Sequence, residues 1–241
     1  MAGRTGIIVQ ARMGSSRLPG KVMMEIADKP MLAILLGRLK ACETADVIIV
    51  ATTRNGRDDV IVKCARDEDV SVYRGDEDDV LARYYEAAKE YRLDTVVRVT
   101  SDCPLSDPYM IDDMVRSFLS ADDVAYMSNT ITRTYPRGFD AEVFSMDSLK
   151  EAYDKAGEKR EREHVTPYIY ENLPVKAYAG DDDASSFRVT VDTADDLRHV
   201  SEIFKALGHL KFIRSRDVVA LLRNRPDLVA INRHVEQKAV A

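Results

Sequence analysis

The chain has 241 residues, 45% of them hydrophobic, and a formal net charge of -6. That length and apolar content support one substantial core, expected as a single domain over 1–241 with an arm inserted at approximately 135–180. The acidity excludes a protein that coats nucleic acid or anionic membrane, which needs a clustered basic field, and no apolar run nears the roughly 20 residues that cross a bilayer.

The first strand, Gly6 to Ala11, runs into a loop dense in glycine, hydroxyl and cationic groups. Gly14 and Gly20 permit close backbone approach, Ser15 and Ser16 add hydroxyl donors, and Arg12, Arg17 and Lys21 supply positive charge, so the loop is suited to hold an anion. It is not a Walker A loop: five residues separate Gly14 from Gly20-Lys21 instead of four, and Val22 occupies the position of the magnesium-binding hydroxyl. Nor is there a Gly-x-Gly-x-x-Gly pattern.

Strand-like and helix-like segments then alternate: helix Met31 to Ala41, strand Val47 to Thr52, helix Asp58 to Arg66, strand Val70 to Arg74, helix Asp79 to Tyr91, strand Thr95 to Thr100 and helix Tyr109 to Leu119. This rhythm predicts an α/β fold with a mostly parallel, Rossmann-like sheet covered by helices in three layers. The helices carry apolar stripes at helical spacing, such as Val80, Leu81, Tyr84, Ala87 and Ala88. Asp58, Asp59 and Asp107 read as helix caps, whereas Asp79 stays open.

Past Ala121 the rhythm changes. Strands are expected over Val124 to Ser128, from the Tyr135 turn into Phe144, over Val175 to Tyr178 and over Phe187 to Val191, with helices over Ser148 to Lys155, Asp195 to Leu207 and Ser215 to Leu222. Asp181-Asp182-Asp183 lies in a turn and reads as a solvated loop. Cys42, Cys64 and Cys103 are odd in number and widely spaced, which fits reduced thiols. With no secretory leader evident, a cytoplasmic protein is expected.

Parallel sheets bind ligands beyond the carboxyl ends of their strands. The Arg12 to Lys21 loop, Thr52-Thr53, Arg74-Gly75, Thr100 to Leu105 and Asp192-Thr193 all follow predicted strands, so one crevice could receive them. Asp102 and Asp192 are the candidate metal ligands, because magnesium takes hard oxygens and commonly uses one or two carboxylates with substrate phosphates. Further on, Arg137, Asp140 and Glu142 put both charge signs on one short segment, and His164, Thr166 and Tyr168 add hydrogen-bonding groups. These suit a polyhydroxylated acidic substrate.

The chain resembles the cytidylyltransferases that make CMP-linked sugar acids, in particular their spore coat polysaccharide branch. The resemblance rests on the Gln10 to Lys21 loop, on Thr100, Asp102, Pro104 and Leu105, on Asp192, Thr193, Asp196 and Leu197, and on the runs from Tyr135 and Arg162. It implies the sheet of nucleotide-diphospho-sugar transferases with a small dimerisation arm, CTP as co-substrate, magnesium on Asp102 and Asp192, and a homodimer. Gln10, Ala11, Arg12, Gly14, Ser15, Ser16, Arg17 and Lys21 would hold the triphosphate and part of the cytosine. Thr52, Arg74, Arg98 and Thr100 are candidates for base and ribose, and Arg12, Lys21 and Asp102 for catalysis. Where sugar-acid synthases open with Pro-Ala-Arg this chain has Gln10-Ala11-Arg12, and the segment that reads the sugar carboxylate is not matched. A nucleotide-sugar-dependent glycosyltransferase and a non-catalytic nucleotide-binding module are the alternatives.

Overall fold

β-Branched runs alternate with amphipathic helices, and the computed structural model, which describes residues 3–15, 17–208 and 212–237, turns that alternation into layers. In chain order the elements are β1 (Thr5–Gln10), β2 (Glu25–Ile26), β3 (Lys29–Pro30), α1 (Met31–Leu39), β4 (Val47–Thr53), α2 (Asp59–Asp67), β5 (Ser71–Gly75), α3 (Val80–Glu90), β6 (Thr95–Thr100) and α4 (Pro108–Leu119). There follow β7 (Tyr126–Ser128), β8 (Glu142–Ser145), α5 (Met146–Lys155), α6 (Lys159–His164), α7 (Pro167–Asn172), β9 (Val175–Ala177), α8 (Ala194–Leu207), α9 (Ser215–Asn224) and α10 (Pro226–Ala230).

Seven strands form one sheet in the order β5-β4-β1-β6-β8-β7-β9, while β2 and β3 make a separate hairpin. β1, β4, β5 and β6 are mutually parallel; β8 runs antiparallel to both its neighbours. Gln10 lies level with Ala51 and Thr100, so the loops leaving the central strands emerge at one edge. The period-two alternation of β1 sends Ile7 and Val9 into a core shared with α1, α2, α4, α8 and α9, and Ile8 into a second core with α3, α5 and α7. The expected three layers are thus present, and the 135–180 segment contributes β8 and β9 to the main sheet. No helix among the described residues is long and apolar enough to cross a membrane.

Most expected elements are present within a residue or two at each end. The expected strand at 187–191 is a correction: it contributes only an isolated bridge, Arg188 to Arg137. Its neighbours are turns instead of strands, so no ladder can propagate. Gly138, at φ 110°, presses against this segment, where a side-chain Cβ would come within 2.5 Å of the Thr190 nitrogen. The Val191 N–H then donates to the Asp102 carbonyl at 2.8 Å. Asp58 also differs from its reading as a cap: it makes no capping hydrogen bond at α2. It accepts instead from the Met13 N–H at 2.8 Å and from the Thr53 hydroxyl, bracing the loop after β1. Asp107 caps α4 and Asp79 caps α3, the latter also pairing with Arg162.

Candidate active site

The loop after β1 folds over its own carbonyl. Met13 O accepts from the N–H groups of Ser15 at 2.9 Å and Gly20 at 3.0 Å, and Gly20 takes φ 71° to start the short turn that carries Lys21. Lys21 Nζ then donates to Asp102 Oδ2 at 2.9 Å, Asp192 Oδ1 at 2.8 Å and the Val191 carbonyl at 2.8 Å. Asp192 Oδ2 is taken by Arg17 and by Arg188, each at 2.9 Å, and Arg188 is itself held on Asp196. Two carboxylates from distant parts of the sequence therefore converge on one cationic point.

The electrostatics follow from that convergence. Burial opposes the charge on Lys21, yet the two aspartates outweigh it and raise its ammonium above the ordinary value. Burial also opposes ionisation of Asp102, but Lys21 and the Thr100 hydroxyl hold its carboxyl below the ordinary value. The adjacent Cys103 is different: burial, reinforced by Asp102 and Asp140, pushes its thiol well up and so disfavours the thiolate that a nucleophile requires.

Around this point lies a cavity of about 300 Å³, lined among others by Gln10, Ala11, Arg12, Gly14, Ser15, Arg17, Lys21, Thr100, Asp102 and Asp192. A second cavity of about 520 Å³ adjoins it through Thr100 and His164, which line both, and contains Arg98, Arg133, Arg137, Asp140 and Glu142. Glu142 pairs with Arg98 and accepts from the Tyr126 hydroxyl at 2.6 Å and the Thr166 hydroxyl at 2.8 Å. Asp140 receives both terminal nitrogens of Arg133, at 2.6 and 3.0 Å. Arg98 thus belongs to the second cavity and reaches the first through its 3.2 Å bond to Gln10 Oε1.

Thr52 and Arg74 are not brought to either cavity. Thr52 is wholly buried within β4, and Arg74 turns back on its own strand edge, donating to the carbonyls of Thr53 and Asn55 and pairing with Asp59. Tyr168 also points elsewhere, to Glu151. Ser16 lies outside the described residues. Ser101, within the Thr100 to Leu105 stretch, and Glu163, beside His164, also line the first cavity, and so does Arg83, which the sequence reading overlooked. For Arg83 a signal was available: it follows Val80 by three positions and so shares the buried stripe of α3, where a cation has no packing reason to be.

The donor set suits magnesium. Asp102, Asp192 and the Val191 carbonyl offer hard oxygens to one point already occupied by a cation. No group of three or more His, Cys, Asp or Glu residues able to hold a metal exists among the described residues, so any ion here would depend on ligand oxygens as well.

The family model described as cytidylyltransferase matches residues 6–233. The chain belongs to the cytidylyltransferase family. This cytidylyltransferase is 39% identical over 240 residues to an uncharacterised protein of Methanocaldococcus jannaschii, covering 96% of each chain. It is 29% identical over 232 residues to the spore coat polysaccharide biosynthesis protein SpsF of Bacillus subtilis, covering 91% of this chain and 94% of the relative. Among solved structures, a cytidylyltransferase from Leptospira borgpetersenii serovar Hardjo-bovis superposes with a TM-score of 0.91 at 33% identity, covering 98% and 99% of the two chains. The sheet is that of the nucleotide-diphospho-sugar transferases, and the chemistry is CTP-dependent nucleotidyl transfer, not the glycosyl transfer held as an alternative.

Proposed function

We propose that this enzyme transfers CMP from CTP to a sugar acid, releasing pyrophosphate, in the biosynthesis of a surface polysaccharide or glycan. One observation carries the reading: the cationic loop and the Asp102–Asp192 pair share a cavity that adjoins, across Thr100 and His164, a second cavity of mixed charge. The first cavity suits a triphosphate and the second its acceptor.

In this reading an acceptor hydroxyl, presented at the junction marked by Thr100 and His164, displaces pyrophosphate from the α-phosphorus. Arg12, Arg17 and Lys21 neutralise the charge that builds on the leaving group, and the fixed positions of the loop cations avoid reorganisation during the step. A magnesium ion on Asp102 and Asp192 would supply Lewis-acid charge to phosphate oxygens. Gln10, Ala11, Gly14, Ser15 and Thr100 would orient the nucleotide.

The charge balance of the second cavity supports an anionic acceptor. Arg98 is matched by Glu142 and Arg133 by Asp140, while Arg137 makes no ion pair among the described residues. Arg137 is thus the group to receive the acid, with Asp140, Glu142 and His164 lining the space for hydroxyl groups. The exposed apolar rim of Ile131, Tyr170 and Val175 supports a homodimer that covers this face; light scattering giving a monomer mass would remove that element.

The test is a nucleotide panel by thermal shift with and without magnesium, followed by pyrophosphate release over a panel of sialic, legionaminic and ketodeoxyoctonic-type acids. CTP-selective, magnesium-strengthened stabilisation and acid-dependent release are expected. Stabilisation by CTP without release from any acid would displace the acceptor assignment, and Asp102→Asn with near-normal turnover would remove the metal assignment.

A further inference from the structure

Arg83 is 1% exposed, yet it has no carboxylate within ion-pair distance among the described residues. Among the described residues its side chain makes one hydrogen bond, from a terminal nitrogen to the Asp76 carbonyl at 2.6 Å, and its Nε–H has no partner. The nearby acids are committed elsewhere: Asp58 to Met13 and Thr53, and the Asp76 carboxylate to the N–H groups of Asp78 and Asp79. A buried cation without counter-charge destabilises a fold, so a structural role for Arg83 is costly. Its position is nevertheless fixed, since it passes over Gly75, whose Cβ would lie 3.0 Å from Arg83 Cγ.

Arg83 lines the first cavity together with Arg12. α3 follows β5, on the opposite side of β1 from β6, which leads to Asp102. Arg83 therefore approaches the loop after β1 from the side away from the two aspartates. A ligand lying across the loop would meet Arg83 on one flank and Lys21 with the two aspartates on the other.

Resting on the proposal that this cavity takes CTP, we infer that Arg83 is a phosphate-binding residue, its missing counter-charge being supplied by the polyphosphate chain. An arginine–phosphate contact supplies the counter-charge that the buried guanidinium lacks, which a neutral base or ribose cannot do.

The experiment compares wild type, Arg83→Met and Arg83→Lys for thermal unfolding without ligand and for calorimetric binding of CTP, inorganic tripolyphosphate and cytidine. Arg83→Met is expected to melt higher than wild type, because an unpaired buried charge is replaced by an apolar side chain of similar length. It should lose about tenfold or more in affinity for CTP and tripolyphosphate, with cytidine unchanged. Arg83→Lys should retain more of the tripolyphosphate affinity than Arg83→Met. Unchanged affinities in Arg83→Met overturn the inference, as does a lower melting point with cytidine and tripolyphosphate weakened alike. Wild type that takes tripolyphosphate but not CTP, with loss in Arg83→Met, upholds the inference and sinks the CTP reading; wild type that takes neither overturns both.

Discussion

Lys21 Nζ lies 2.8 Å from Asp192 Oδ1, although 171 positions separate the two residues in the chain. The ammonium stands where two carboxylates and a carbonyl converge, so in the ligand-free protein it is the cation that those oxygens share. In the proposed reaction a cation recruited with the nucleotide would compete with this ammonium for the same oxygens, which would leave Lys21 to turn to phosphate.

Lys21→Met removes that resident cation. Turnover is expected to fall by about 10²- to 10³-fold, the loss typical of removing one preorganised charge partner. In the nucleotide-free protein the bared carboxylates should instead take up Mn²⁺ more tightly than wild type, read by electron paramagnetic resonance.

Asp58→Ala addresses the brace under the loop. Asp58 is fully buried and holds the Met13 N–H and the Thr53 hydroxyl, so both donors lose their acceptor. A stability loss of about 1.5–3 kcal/mol is expected from urea unfolding. CTP affinity should fall with it, since Met13 O closes the loop, and a variant that binds CTP as wild type does would show the loop to be held by other contacts.

Glu142→Gln strands the Arg98 guanidinium, which has no other carboxylate partner among the described residues. Breaking one side of a buried pair costs about 3–5 kcal/mol, so the melting temperature should drop markedly. Acceptor KM should rise as well, because the same pair lines the second cavity.

The buried His199 predicts a pH dependence. Burial holds its imidazole below the ordinary 6.5, only partly offset by the 2.9 Å contact of Nδ1 with the Leu228 carbonyl and by Asp196. Below pH 6.5 the unfolded chain therefore binds a proton that the folded chain resists, and stability declines as pH falls from 6.5 through the folded value. His199→Asn, which keeps a donor for Leu228, should flatten that part of the stability profile; an unchanged slope in chemical denaturation between pH 7 and pH 5.5 would assign it to other groups.

Local chemistry made much of this protein legible. Ile7, Ile8 and Val9 declare a strand buried on both faces, the Leu32 to Leu39 stripe declares a helix, and Gly14 to Lys21 declares a loop for anions, because side-chain period and turn chemistry are properties of neighbouring residues. Asp102 and Asp192 were visible for the same reason, each following an extended run. What the sequence could not decide is which distant groups meet. Asp58 could be read as a cap until the fold set it beneath Met13, Arg74 could be read as a ligand contact until β5 turned it back toward Asp59, and Arg83 was hidden in a helix stripe until α3 faced the loop. Those outcomes depend on sheet order and on the close passage of Gly138 past residues 189–190, which brings Val191 to Asp102 and so Asp192 to Lys21. Such contacts are fixed by packing between segments far apart in the chain, and only the tertiary structure contains them.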